Sequence, residues 1–168
     1  MRVAALTVLL AYFATTAPAQ LAVRFVEGAP KDRFIFENTG DCGLKDAAIT
    51  VDLAGSNGRL IFDVTGQGAG VSVFQPFEVV SGLASLSGLP IVKDGDTLLS
   101  LSVNELAPGD AIAFTIDVDD TVGQRETVVA GAEVTGADVI VTTQGEQTSG
   151  VFGPNASAVV PLPPCPNA

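Results

Sequence analysis

Asp117, Asp119 and Asp120 fall in the run I-D-V-D-D, the densest group of carboxylates in the chain. The spacing Asp-x-Asp-Asp sets hard, anionic oxygen donors side by side. That donor set suits Ca²⁺, which takes six to eight oxygens and accepts backbone carbonyls among them. Asp117 and Asp119 are two residues apart, so on a strand they project from one face. Asp120 begins the turn that follows and is placed to close around an ion. Asp63, or the turn holding Asp94 and Asp96, would complete the shell if those loops reach the same end of the fold. The pattern is not an EF-hand loop, whose glycine and distal glutamate are missing from their places. A plainer reading stands beside it: Asp119 and Asp120 start a turn and cap local amides, while Asp117 lies exposed on a sheet.

The elements that must position these residues read as strands. In residues 111–118, Ile112, Phe114, Ile116 and Val118 alternate with Ala111, Ala113, Thr115 and Asp117, behind a Pro108-Gly109-Asp110 turn. Alternation of period two marks a strand with one face in a core. Further strands are predicted at 21–26, 33–37, 48–53, 59–64, 71–76, 77–80, 98–103, 127–130, 132–134 and 138–142, with a brief pairing at 151–152. Residues 81–90 and 144–150 read as loops. Asn38-Thr39-Gly40, Gly55-Ser56-Asn57-Gly58 and Asp94-Gly95 supply turn chemistry between them. No stretch sustains a helical period. The expectation is an all-β chain folded as an antiparallel β-sandwich, with immunoglobulin-like or jelly-roll topology. Gly66-Gln67-Gly68-Ala69-Gly70 invites comparison with a phosphate-binding loop. Such a loop needs a helix after its glycines. Here V-S-V-F-Q-P follows, so the run reads as a turn.

Composition removes several kinds of chemistry. The chain has no histidine and no tryptophan, and its one tyrosine is Tyr12. Ser-His-Asp and Cys-His catalysis and His-ligated zinc are therefore absent. No catalytic or organic cofactor-binding residue is assigned. Hydrolysis by paired carboxylates remains an alternative. The net charge of −11 argues against nucleic acid and anionic membrane surfaces as partners.

Residues 1–19 read as a signal peptide. Arg2 precedes an apolar stretch at 3–13, and Ala17-Pro18-Ala19 is a small-x-small cleavage site. The apolar stretch is too short to span a bilayer. A single sandwich domain is expected at 20–159, with a proline-rich tail at 160–168. The only cysteines, Cys42 and Cys165, most simply make one disulfide in an exported chain. Asn155-Ala156-Ser157 fits a glycosylation sequon, which matters only in a host with that machinery.

Four segments carry a resemblance: V-R-F-V-E-G-A-P-K-D-R-F at 23–34, I-F-D-V-T-G-Q-G-A-G at 61–70, V-F-Q-P-F-E-V-V at 73–80 and F-T-I-D-V-D-D at 114–120. They resemble bacterial exported proteins known as aggregation factor core proteins. The resemblance implies an exported, non-enzymatic protein active in cell adhesion or aggregation. Calcium support would suit that role, with a protein or a cell-surface glycan as partner. The tail V-P-L-P resembles the start of V-P-L-P-A sorting signals, without the hydrophobic helix and basic end that follow in those. A secreted or periplasmic protein, soluble or loosely attached, is the expectation. The alternatives are a carbohydrate-active enzyme and a structural subunit of an extracellular matrix.

Overall fold

The computed structural model describes residues 20–29, 31–71, 73–122 and 128–165. The signal peptide read at 1–19 lies outside these residues, as do Thr127 of one predicted strand and the end of the tail. Among the described residues, ten strands form two antiparallel sheets. The strands are β1 (Gln20–Val26), β2 (Asp32–Asn38), β3 (Leu44–Asp52), β4 (Ile61–Asp63), β5 (Glu78–Ser81), β6 (Leu98–Leu106), β7 (Ala111–Asp119), β8 (Asp138–Thr143), β9 (Glu146–Val151) and β10 (Ser157–Pro161). The first sheet runs β10-β1-β2-β7, and β4 and β5 share the far edge of β7. The second runs β6-β3-β8-β9. The β-sandwich expected from the sequence is the observed architecture.

Alternation explains how the sheets close on each other. Phe34, Phe36, Ile112, Phe114, Ile116 and Val118 are fully buried from the first sheet. Ile49, Val51, Leu99, Leu101, Val139 and Val141 are buried from the second, and all belong to one apolar cluster. Phe34 anchors it. Its ring stacks on Phe114 at 5.3 Å and meets Phe25, Phe62 and Phe152 edge-on at 5.1, 6.5 and 6.3 Å. Edge-on and offset rings are the favoured aromatic geometries, and they fix relative orientation as well as burying area.

Cys42 and Cys165 form the disulfide, with Cα atoms 5.7 Å apart. The turn that carries Cys42 is held by Asn38. Its buried side-chain amide donates to the carbonyls of Cys42 (2.8 Å) and Leu106 (2.9 Å), and its Oδ1 accepts from the Gly40 N–H (3.0 Å).

Several elements differ from the sequence reading, each for a physical reason. The strand predicted at 59–64 shrinks to β4, because Arg59 takes a left-handed φ of 48°. Residues 132–134 form turns beside the Gly55–Gly58 corner: Glu133 donates to Ala130 and Ala137 to Val134. Val129, Val134 and Ala137 are nevertheless buried, so these apolar residues serve the core without a ladder. Residues 144–150, read as a loop, contain β9 instead. Gln144 and Gly145 both have positive φ, 52° and 82°, as a two-residue type I′ hairpin requires. β9 lacks apolar alternation because it is a largely exposed edge strand. β10 carries the ladder past residue 159 to Pro161, pairing with β1. Among the described residues of 71–76 no strand forms, and that departure bears on the site.

Candidate metal centre

β7 is bordered unequally. β2 pairs along one side, from Asp32 to Glu37. On the other side β5 covers residues 113–115 and β4 covers 117–119. Between β4 and β5 the chain leaves the sheet over residues 64–77. It touches β7 again at Gln75, whose carbonyl accepts from the Asp117 N–H at 3.1 Å. Within the β4–β7 ladder, Asp63 opposes Asp117, Phe62 opposes Val118 and Ile61 opposes Asp119. Phe62 and Val118 enter the core. Alternation then puts Asp63, Asp117 and Asp119 together on the other face.

Those three carboxylates each offer an oxygen, and the three oxygens lie within 4.8 Å of one another. All three residues are buried, with Asp63 and Asp119 at 0% exposure and Asp117 at 2%. The excursion at 64–77 covers them. Val71 N–H donates to Asp119 Oδ2 at 2.7 Å. Val64 and Thr65 N–H donate to Asp94 Oδ1 at 2.8 and 2.9 Å. The glycines of the run permit this approach: a Cβ on Gly70 would fall on the Asp63 carboxylate, and one on Gly68 on that of Asp94. Asp94 stands in a Lys93–Asp96 turn with Gly95 at φ 80°, the left-handed value that a type II turn demands at its third position. On the β2 side, Asp32 Oδ2 accepts from the Val118 N–H at 3.1 Å and Oδ1 from the Gly28 N–H at 3.0 Å.

The arrangement leaves oxygens without donors. Both oxygens of Asp63, Oδ2 of Asp94 and Oδ1 of Asp119 are buried and accept no hydrogen bond. A buried carboxylate without a partner costs several kcal/mol, so the group calls for protons or a cation. Burial, helped by the carboxylates of Asp94 and Asp119, pushes Asp63 up to about 7. Burial and the Asp119 charge push Asp117 up to about 7. Burial, opposed by its amide donors and aided by Asp117, takes Asp32 to about 8. Burial acts the same way on Asp94, but the amides of Val64 and Thr65 outweigh it and hold Asp94 below the usual carboxylate range. Asp94 therefore keeps its charge against Asp63.

Calcium meets these demands. Its oxygen ligands sit about 2.3–2.6 Å away, so two oxygens on one ion lie no more than about 5 Å apart. The three carboxylates satisfy that limit as they stand, and the unpaired oxygens are the atoms a cation would take. No family model and no curated protein matches this chain.

The structure thus brings Asp117 and Asp119 together and adds Asp63, with Asp94 beside it. Asp120 lies outside the group of three; its Oδ1 accepts from the Val122 N–H at 3.0 Å. Asp96 serves its own turn, accepting from the Lys93 N–H at 2.8 Å. Asp32 is not among the residues that the sequence singles out. The signal for Asp63 is its place near the end of a strand, three residues before the glycine run begins at Gly66.

These shifts set a pH dependence for the cation-free protein. Asp32, Asp63 and Asp117 have folded values raised above the ordinary 3.8. Between about pH 4 and 8 the folded state then binds more protons than the unfolded state, so stability falls as pH rises. In chelator, the urea midpoint is expected to drop between about pH 5 and pH 8, reporting a loss of stability on the order of a few kcal/mol. A midpoint that is flat or rises over that interval would contradict the buried cluster.

Proposed function

We propose that this chain is an exported, non-enzymatic β-sandwich that binds a macromolecular partner or a cell surface, supported by Ca²⁺ held between Asp63, Asp117 and Asp119. The observation that carries the reading is the group of buried carboxylates within 4.8 Å, with oxygens that accept no hydrogen bond. A disulfide fits an oxidising compartment. Among the described residues, no helix is long and apolar enough to cross a membrane. The resemblance to aggregation factor core proteins supports adhesion, with a protein or a surface glycan as partner. The acids also sit closer together than the roughly 5–10 Å of glycosidase pairs, and they are covered by the 64–77 excursion, which favours ligation over sugar hydrolysis.

The test uses the oxidised mature protein coupled to beads. Beads are expected to cluster, or to bind the cells that export the protein, in millimolar Ca²⁺, and to disperse in chelator and in Mg²⁺. Equal clustering in chelator and in Ca²⁺ would remove the calcium-supported reading.

A further inference from the structure

The described residues of 64–77 form a long excursion without secondary structure, a class of loop that in a compact domain is usually functional. Among their described bonds, Val64, Thr65 and Val71 donate to carboxylates of the cluster. Gln75 bonds the backbone of Asp63 and Asp117, two of its members. Within the loop, Phe74 lies against Gly66, where an added Cβ would come within 3.0 Å of the ring. On its outer side Val73 and Phe74 are 45% and 38% exposed.

We infer that residues 64–77 are a cation-controlled clamp: the ion on Asp63, Asp117 and Asp119 holds this loop closed over β4 and β7, and its removal releases the loop. This rests on the calcium reading above and assigns the site a regulated element. The argument is one of relative cost. With the ion absent, the close-set oxygens of the three acids have nothing between them, and both oxygens of Asp63 accept no hydrogen bond. β4 and β7 are fixed by ladder bonds and by Phe62 and Val118 in the core. The middle of the loop has three glycines, Gly66, Gly68 and Gly70, and is tied down at Val71 through Asp119 itself, whereas its far end is held independently, Gln75 by the backbone of Asp63 and Asp117 and Phe77 by the Phe114 ring at 4.8 Å. It is the part that moves most cheaply, and opening lets water reach Asp63, Asp94 and Asp119. With the ion bound, the same oxygens are neutralised and the anchors hold. The exposed pair Val73 and Phe74 is then presented in one geometry only when the ion is present.

Amide hydrogen exchange on the oxidised mature chain, in chelator and in millimolar Ca²⁺, tests this beside titration calorimetry with CaCl₂. The expected result is heat of calcium binding, with exchange across 64–77 slowed by about tenfold or more. The edge strand β9, in the other sheet, is expected to exchange at the same rate in both buffers. Calcium heat with unchanged exchange at 64–77 would overturn the clamp and leave the cation site standing. No calcium heat would overturn both.

Discussion

Millimolar Ca²⁺ is expected to raise the unfolding temperature of the chelated protein by roughly 5–10 °C, and Asp63→Asn is expected to abolish that rise. The size follows from linkage. An ion at one hundred times its dissociation constant adds about 2.7 kcal/mol, and each kcal/mol moves a domain of this size by roughly 2–4 °C. Mg²⁺ should give little of the effect. It demands near-ideal octahedral geometry at shorter distances and keeps its waters, which a covered cup of carboxylates does not suit.

The sign of the Asp63→Asn effect in chelator is the more telling half. Asparagine keeps the shape and removes one of the buried like charges. Asp63 stands at 0% exposure beside Asp94, Asp117 and Asp119, and both its oxygens lack donors. In chelator at about pH 8 the variant should therefore unfold at a higher temperature than the parent, while in Ca²⁺ it should unfold lower. The two melting curves exchange order between buffers. If Asp63 were only a structural residue, the variant would be weaker in both. Asp120→Asn makes the complementary comparison. Asp120 lies outside the group of three and accepts from the Val122 amide, so its variant should keep the calcium response. A response lost in Asp120→Asn and kept in Asp63→Asn would return the site to the local Asp117-Asp119-Asp120 reading.

The contrast between those two residues shows what the sequence could carry. Alternation in residues 111–118 was enough to place β7 and to put Asp117 and Asp119 on one face, because period two is a local property of the backbone. The neighbour of β7 is not local. Asp63 becomes the central ligand candidate only through the pairing of β4 with β7, across a sequence gap that no spacing rule spans. Asp120 looked like a member because it is adjacent in sequence, but the strand ends at Asp119 and the next side chain turns to its own amide. The glycine run illustrates a second limit. The run reads as a plain turn in the sequence, yet its use depends on a close approach to Asp63 and Asp94 that only the folded chain shows. V-S-V-F-Q-P was read as a strand for its β-branched and aromatic residues. The far edge of β7 is already shared by β4 and β5, so that segment crosses above the sheet instead. Likewise β9 carries almost no apolar pattern because an exposed edge needs none.

Replacing Cys42 and Cys165 by serine, or reducing the bond, is expected to cost up to about 5 kcal/mol and to lower the unfolding temperature by roughly 10–20 °C. The bond closes a loop of 123 residues, nearly the whole domain, and the chain-entropy contribution grows with loop length. The packing on either side decides how much of that limit is reached. Cys42 lies in a turn already fixed by the Asn38 amide, so its end of the bond is rigid. Cys165 lies beyond β10, held by the β1 ladder up to Pro161 and by Leu162 against the core. Removing the bond should therefore free residues 163–165 first and destabilise the domain mainly through a less restricted unfolded chain. The serine variant should keep the calcium rise, because Asp63, Asp117 and Asp119 belong to β4 and β7 and share no contact with either cysteine in these ladders. A serine variant that melts within a degree or two of the parent would mean that strain in the folded state cancels the entropic gain. A serine variant that loses the calcium rise as well would mean that the disulfide supports the β4–β7 pairing that sets the carboxylates together.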